Sequence, residues 1–147
     1  MSETKTYHPS QEFVLKAHVK ERATNELERG GLLLNPWMGD AFERPVFTAS
    51  IRHSAVRFNY AEKRISTTTW QLDPAIKVDQ LPKDVKIEND LGGFSHSCTQ
   101  SGTTVTCTRS YALKNTLLKT NIEYLNAKKF FEEIAKQDQE VMVLRAQ

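Results

Sequence analysis

Alternating apolar and polar side chains predict short β-strands along most of the chain. Residues 13–19 place an apolar side chain at every second position, as a strand with one buried face does. A helix is the competing interpretation there, because residues 20–28 are rich in charged side chains and contain neither Pro nor Gly. Strands are also predicted at residues 32–34, at 56–60 and at 64–72, the last of which is rich in β-branched side chains.

A hairpin is the clearest local signal in the sequence. The side chains that share one face of its two strands are Phe94, His96 and Cys98 on the first and Val105, Cys107, Arg109, Tyr111 and Leu113 on the second. Between the strands, residues 101–103 supply a turn that contains glycine. We therefore expect these two strands to pair with each other.

The spacing of apolar residues changes in the C-terminal third of the chain. Steps of three and four residues, typical of one face of a helix, connect Tyr124, Ala127, Phe131 and Ile134. Thr120 and Glu123 have the spacing of a capping box at the start of this helix, and the polar residues 137–139 end it. Residues 141–144 are apolar and predict a last strand.

Together these elements predict a mainly β fold. About seven to nine short strands at a spacing of roughly 8–12 residues are typical of a sandwich. We therefore expect an antiparallel β-sandwich with one C-terminal α-helix packed on it. Residues 1–12 are polar and contain Pro9, which predicts a flexible N-terminal segment, and residues 13–147 are expected to form a single domain.

Charge and hydropathy argue against two kinds of partner. The 147 residues carry a net charge of +2, with basic and acidic side chains interleaved, so no stretch predicts a nucleic-acid site. No apolar run approaches the roughly 20 residues that a membrane helix needs. Residues 1–5 are polar and predict no signal peptide, which leaves either a cytoplasmic protein or a fragment of a longer exported one.

The sequence contains no recognisable catalytic, metal-binding or cofactor motif. Its two cysteines and four histidines lack zinc-site spacing, and no phosphate loop, dinucleotide fingerprint or nucleophile elbow is present. We therefore expect no enzyme activity, no metal and no cofactor. His96 and Cys98 lie two positions apart on one predicted strand face, and a small enzyme that uses them is the least favoured hypothesis.

The two cysteines leave two alternatives that depend on the hairpin turn. With residues 102–103 as the turn, Cys98 faces Cys107 in a non-hydrogen-bonded pair, where side chains are closest and a disulfide is feasible. With residues 101–102 as the turn, Cys98 faces Val105 and a bridge is strained. Both a disulfide and two free buried cysteines stay open, and a disulfide would imply an oxidising compartment.

The aromatic residues suggest a binding hypothesis. Trp37 and Trp70 could form an aromatic patch in a groove that binds a sugar or a peptide. Aromatic side chains with this spacing are more often core residues or loop anchors, so we treat binding as the minority interpretation.

The order of the segments resembles a known domain family. The residues that carry the resemblance are Leu33-Leu34-Asn35-Pro36, Phe47 with Arg52 and Val56, residues 81–89, residues 106–113, Glu123-Tyr124, Phe130-Phe131 and residues 140–144. They resemble the C-terminal domain of unknown function that follows a transglutaminase-like core in large bacterial proteins. The similarity extends from about residue 13 onward, and its most specific parts are residues 81–85 and the ending from Glu123 to Leu144; neither is a catalytic motif.

This resemblance implies a non-catalytic accessory domain. Proteins of that kind resemble exported ones in which a papain-like core carries a Cys-His-Asp triad, and this chain lacks that core. The resemblance implies packing on such a core or on a partner, and a periplasmic or extracellular location if the chain is a piece of an exported protein. The hairpin cysteines depart from the family pattern. The alternative hypothesis is a free-standing carbohydrate- or peptide-binding sandwich, since a sandwich fold alone does not decide function.

Overall fold

The computed structural model describes residues 31–37, 41–42 and 46–147. The predicted flexible segment at residues 1–12 lies outside these described residues. The strand predicted at residues 13–19, with its helical alternative, also lies outside them.

Within the described residues the fold is mainly β, with one helix near the C-terminus, as predicted. The elements are β1 (Leu32–Leu34), β2 (Val56–Arg57), β3 (Glu62–Gln71), β4 (Ile76–Gln80), β5 (Val85–Glu88), β6 (Gly92–Ser101), β7 (Thr104–Leu113), β8 (Leu117–Leu118), α1 (Asn121–Gln137) and β9 (Met142–Ala146). They form a four-stranded sheet in the order β3-β7-β6-β5, a three-stranded sheet in the order β1-β9-β4, and a β2-β8 pair. All of these pairings are antiparallel.

The predicted hairpin consists of β6 and β7, at the centre of the four-stranded sheet. Ser101 pairs with Thr104, so residues 102 and 103 are the turn. Gly102 has a φ of 58°, a left-handed conformation that tight hairpin turns require and that glycine adopts without strain. In this register Cys98 lies opposite Cys107, so the structure has the first of the two predicted turns.

One face of the four-stranded sheet builds the core, and β7 contributes every second side chain to it. The buried β7 residues are Val105, Cys107, Arg109, Tyr111 and Leu113. The half around Val105 packs with Met142 and Leu144 of β9. The half around Tyr111 packs with Phe131 of α1. The layer that covers this face is therefore a sheet over one half and a helix over the other.

Helix α1 begins at the predicted capping box. Thr120 Oγ1 accepts a hydrogen bond from the Glu123 N–H at 3.2 Å, and the Glu123 carboxylate accepts one from the Thr120 N–H at 2.9 Å, which satisfies two backbone donors at the helix start. The buried face of the helix includes all four predicted positions and consists of Tyr124, Ala127, Phe130, Phe131, Ile134 and Ala135. Asp138 caps the other end and is itself buried.

Candidate interaction surface

A buried ion pair lies where the two halves of the core meet on β7. Arg109 is 2% exposed and Asp138 is 1% exposed. The Arg109 Nε and Nη2 atoms donate to the two Asp138 carboxylate oxygens, each at 2.7 Å, the bidentate geometry of strong Arg–carboxylate pairs. The Phe42 N–H donates to the same carboxylate at 2.9 Å, and the Phe42 and Phe94 rings lie 5.3 and 5.1 Å from the guanidinium carbon. Engaged in this way, the pair holds the end of α1 against β7.

His96 is a second buried polar side chain beside this pair. It lies opposite Arg109 on β6, is 2% exposed, and its ring is 4.5 Å from Trp37 between centroids. Among the described residues neither ring nitrogen has a hydrogen-bond partner. Burial lowers the pKa of His96, against the opposing effect of the carboxylates of Asp138 and Glu140, because a low-dielectric site disfavours the charged imidazolium. His96 is therefore a neutral core residue at pH 7.

The two cysteines are joined by a disulfide. The bond links Cys98 of β6 to Cys107 of β7, whose Cα atoms are 4.1 Å apart, close to the spacing of a non-hydrogen-bonded antiparallel pair. His96 and Cys98 share one face of β6, as predicted from their spacing. In the disulfide, Cys98 carries no thiolate that His96 could activate.

Trp37 lies in a core cluster, and Trp70 packs against the same cluster while staying partly exposed. Trp37 is 2% exposed, and the half-buried Trp70 of β3 packs against the same cluster. Trp37 therefore offers no accessible face to the predicted aromatic patch, whereas Trp70 stays partly exposed, so the binding hypothesis stays a prediction. The packing that removes Trp37 from the surface includes the contact with His96.

An exposed apolar surface lies at the start of α1, and sequence patterns did not identify it. It consists of Ile51, 60% exposed, and Ile122, 71% exposed, which we call the isoleucine patch. The two flank a hydrogen bond of 3.1 Å from the Arg52 N–H to the Asn121 side-chain oxygen. The Arg52 guanidinium carbon lies 5.9 Å from the centre of the ring of Tyr124, which follows Ile122 by two positions in α1.

The segment before Ile51 is fastened to α1. The Tyr124 hydroxyl donates to the Ala49 carbonyl at 2.9 Å, and the Lys128 ammonium lies 3.2 Å from the same oxygen. Phe47 is buried against the Tyr124 ring, with 5.1 Å between centroids. These contacts hold the isoleucine patch in a defined position on the helix.

A cleft opens between α1 and the turn after β5. Its volume is about 640 Å³, and it is lined by Leu91, Leu118 and Phe130 together with the carboxylates of Glu123 and Glu133. The three apolar residues are less than a tenth exposed. Core side chains therefore contribute to the lining of the cleft together with charged side chains.

Within the described residues there is neither a cluster of metal ligands nor a membrane-spanning helix. No group of three or more His, Cys, Asp or Glu side chains stands close enough together there to hold a metal ion. The helix in that part of the chain is not long and apolar enough to cross a membrane.

Comparisons with known proteins give one family and one similar fold. The family model described as "Domain of Unknown Function with solved-structure structure (DUF3858)" matches residues 30–144. The crystal structure of a candidate protease from Parabacteroides distasonis is similar, with a TM-score of 0.57 and 18% sequence identity, over 67% of this chain. The chain spans only 19% of the length of that protein. No curated protein matches.

Proposed function

We propose that this chain, which belongs to the DUF3858 family, is a non-catalytic accessory domain that packs on a larger catalytic core. The core we propose is one that hydrolyses peptide bonds or transfers acyl groups, of the transglutaminase-like class. The similarity in fold to part of a candidate protease supports this proposal. The resemblance of residues 81–85 and of the C-terminal segment to domains that follow such cores supports it independently.

The observation that best supports a non-catalytic role is how the reactive side chains are used. Cys98 and Cys107 are joined in a disulfide, and Arg109 binds Asp138 in the core. His96 is 2% exposed. A nucleophile or general base must come within hydrogen-bonding distance of a substrate. These groups would reach a substrate only if the hydrophobic interior of the domain opened.

The isoleucine patch is the surface that we propose contacts the catalytic core. Interfaces combine an apolar centre with aromatic and Arg side chains. Ile51 and Ile122 are exposed, and their chain neighbours Arg52 and Asn121 are joined by a hydrogen bond. The similarity covers 19% of the candidate protease. Most of such a protein therefore lies outside the region that this domain resembles, and it could provide the surface on which the domain packs. A patch of two isoleucines would form part of a larger contact, since stable interfaces bury about 800 Å² on each partner.

Two measurements test this proposal. The chain alone is assayed for cleavage of labelled casein and for incorporation of a fluorescent amine into casein, and we expect neither reaction. Significant turnover that survives repurification would overturn the non-catalytic role.

The packing is tested by hydrogen exchange on the longest natural reading frame that contains this chain, compared with the chain alone. We expect slower exchange at residues 48–53 and 119–123 in the longer protein. Equal exchange in the two samples, or a reading frame that encodes no further domain, would overturn packing on a core in the same polypeptide.

A further inference from the structure

In the described part of the chain, the three-stranded and four-stranded sheets have four edge strands between them, and three of these are protected against pairing. Strand β1 has three residues and β5 has four. In β4 the register shifts between Val78 and Gln80, and Asp79 forms an ion pair with Arg145 at 3.1 Å. Short length, charge and bulges are the features by which proteins prevent pairing at a sheet edge.

Strand β3 has none of these features over most of its length. Its ten residues pair with β7 without interruption, from Glu62 opposite Leu113 to Gln71 opposite Thr104. Residues 65–71 contain no charge, no Pro and no Gly, and Ile65 is 62% exposed. Among the described residues no strand pairs with the outer side of β3.

The hairpin register shows which backbone groups of β3 point outward. Because Ser101 and Thr104 close a two-residue turn, they are a hydrogen-bonded pair, and three positions along, Cys98 and Cys107 are a non-hydrogen-bonded pair. The Cys107 backbone therefore points toward Thr68 of β3, and even-numbered β3 residues bond to β7. The outward N–H and C=O groups belong to Lys63, Ile65, Thr67, Thr69 and Gln71.

We propose that β3 is a dimerisation edge, to which a second copy of this chain adds its own β3 in antiparallel orientation. The two-fold axis passes through Thr67, and two four-stranded sheets become one of eight strands. In this register Ile65 faces Thr69 of the second copy. This inference does not depend on the accessory role proposed above.

The charge pattern of β3 favours a second copy as the occupant. All charges of the strand lie in its first three residues, Glu62 to Arg64, and antiparallel pairing sets them opposite the uncharged end of the other copy. Lys63 then faces Gln71, and Arg64 faces Trp70, a pairing of cation and aromatic ring that is favourable. No like charges stand opposite each other, and a symmetric contact of this kind closes as a dimer.

Two charge variants test both the contact and its register by sedimentation equilibrium over a wide concentration range. The variant with Ile65→Lys and Thr69→Lys sets like charges opposite each other twice, and we expect roughly a hundredfold rise in the dimer dissociation constant. The variant with Ile65→Lys and Thr69→Glu sets opposite charges there, and we expect it to dimerise as the natural chain does.

The matched control places the same charges on the same sheet face away from the edge. Ser97→Lys with Thr99→Lys lies on β6, at exposed positions two strands from the β3 edge, and we expect no change in association. Circular dichroism of all variants checks that they fold. A natural chain that stays monomeric at every concentration overturns the proposal, as does equal association of the two β3 variants.

Hydrogen exchange separates this contact from one made within a single chain. If a second copy covers the edge, protection of the amides of Ile65, Thr67 and Thr69 rises with protein concentration. Protection that is the same at all concentrations would mean that another part of the same chain covers β3, and would overturn dimerisation there.

Discussion

At the scale of single residues, Arg109 and Asp138 form a buried ion pair that is costly to break. Both side chains are almost fully buried, and each satisfies the charge of the other through two hydrogen bonds of 2.7 Å. Removal of one partner leaves an unpaired buried charge, which costs more than the intact pair contributes. The intact pair therefore adds little to the free energy of unfolding, but the packing around it requires both partners.

The first prediction concerns this pair. We expect Asp138→Ala to lower the free energy of unfolding by about 3–5 kcal/mol, because Arg109 would be left buried and unpaired. The control is Asp79→Ala, which breaks the exposed pair with Arg145 and should cost about 0–1 kcal/mol. Urea unfolding followed by circular dichroism measures both. A loss below that of the control would contradict the burial of the pair.

His96 gives a second prediction, on the pH dependence of stability. Burial lowers the pKa of His96 below its ordinary value of 6.5, so the unfolded chain takes up the proton first as pH falls. The stability that depends on neutral His96 is complete above pH 6.5, and it is lost as pH falls from there to the folded-state pKa. We expect the free energy of unfolding to fall by up to about 1.4 kcal/mol per pH unit in that window.

The variants for this test are His96→Phe and the exposed control His53→Gln. The phenylalanine keeps a ring between Trp37 and Phe94 and cannot take up a proton, so this dependence should disappear. The control should keep it. Unfolding is measured from about pH 8 to about pH 5, above the range in which most carboxylates titrate. A slope that survives in His96→Phe would show that another group causes it.

At the scale of elements, the β6–β7 hairpin carries a disulfide that joins positions nine residues apart. Such a bond acts mainly by limiting the freedom of the unfolded chain. We expect reduction to lower the free energy of unfolding by about 2–3 kcal/mol, as loop-closure entropy for a loop of this length indicates. The measurement is urea unfolding with and without reductant.

The control for the disulfide is Cys98→Ala with Cys107→Ala, whose stability should not respond to reductant. A natural chain with the same stability in both conditions would show that the bond adds nothing to this short hairpin. The hairpin already has a tight turn at Gly102 and ten residues of continuous pairing on each strand, so such a result would assign its stability to local pairing.

The predictability of the elements follows from how local their signals are. The alternation in β6 and β7 and the period of α1 are visible in the chain itself, and both predictions are confirmed. Residues 56–60 were predicted as one strand, but only Val56–Arg57 pairs, with the two-residue β8. Pairing over so short a length depends on contacts far apart in sequence, which no local pattern records.

At the scale of the whole molecule, the sequence did not predict the mixed layer over the core face. That layer requires β9 to lie between β1 and β4, a long-range arrangement. One signal was present: Arg109 shares its strand face with Val105 and Tyr111, and a charged residue on an apolar face indicates a buried partner. The identity of that partner, Asp138, depends on where α1 ends, and element boundaries are poorly determined by sequence patterns.

The last prediction separates the surface of the molecule from its core. Ile51 and Ile122 remain mostly exposed, so Ile51→Ser with Ile122→Ser should change the free energy of unfolding of the chain by no more than about 0.5 kcal/mol per substitution. Ile134 is fully buried in α1, and the control Ile134→Ala should cost about 2–5 kcal/mol. In the longer natural protein, the serine variant should lose the protection from hydrogen exchange at residues 48–53, while the fold stays intact. Protection that survives this double substitution would show that the catalytic core contacts another surface of the domain, because the isoleucine patch would then contribute nothing to the interface.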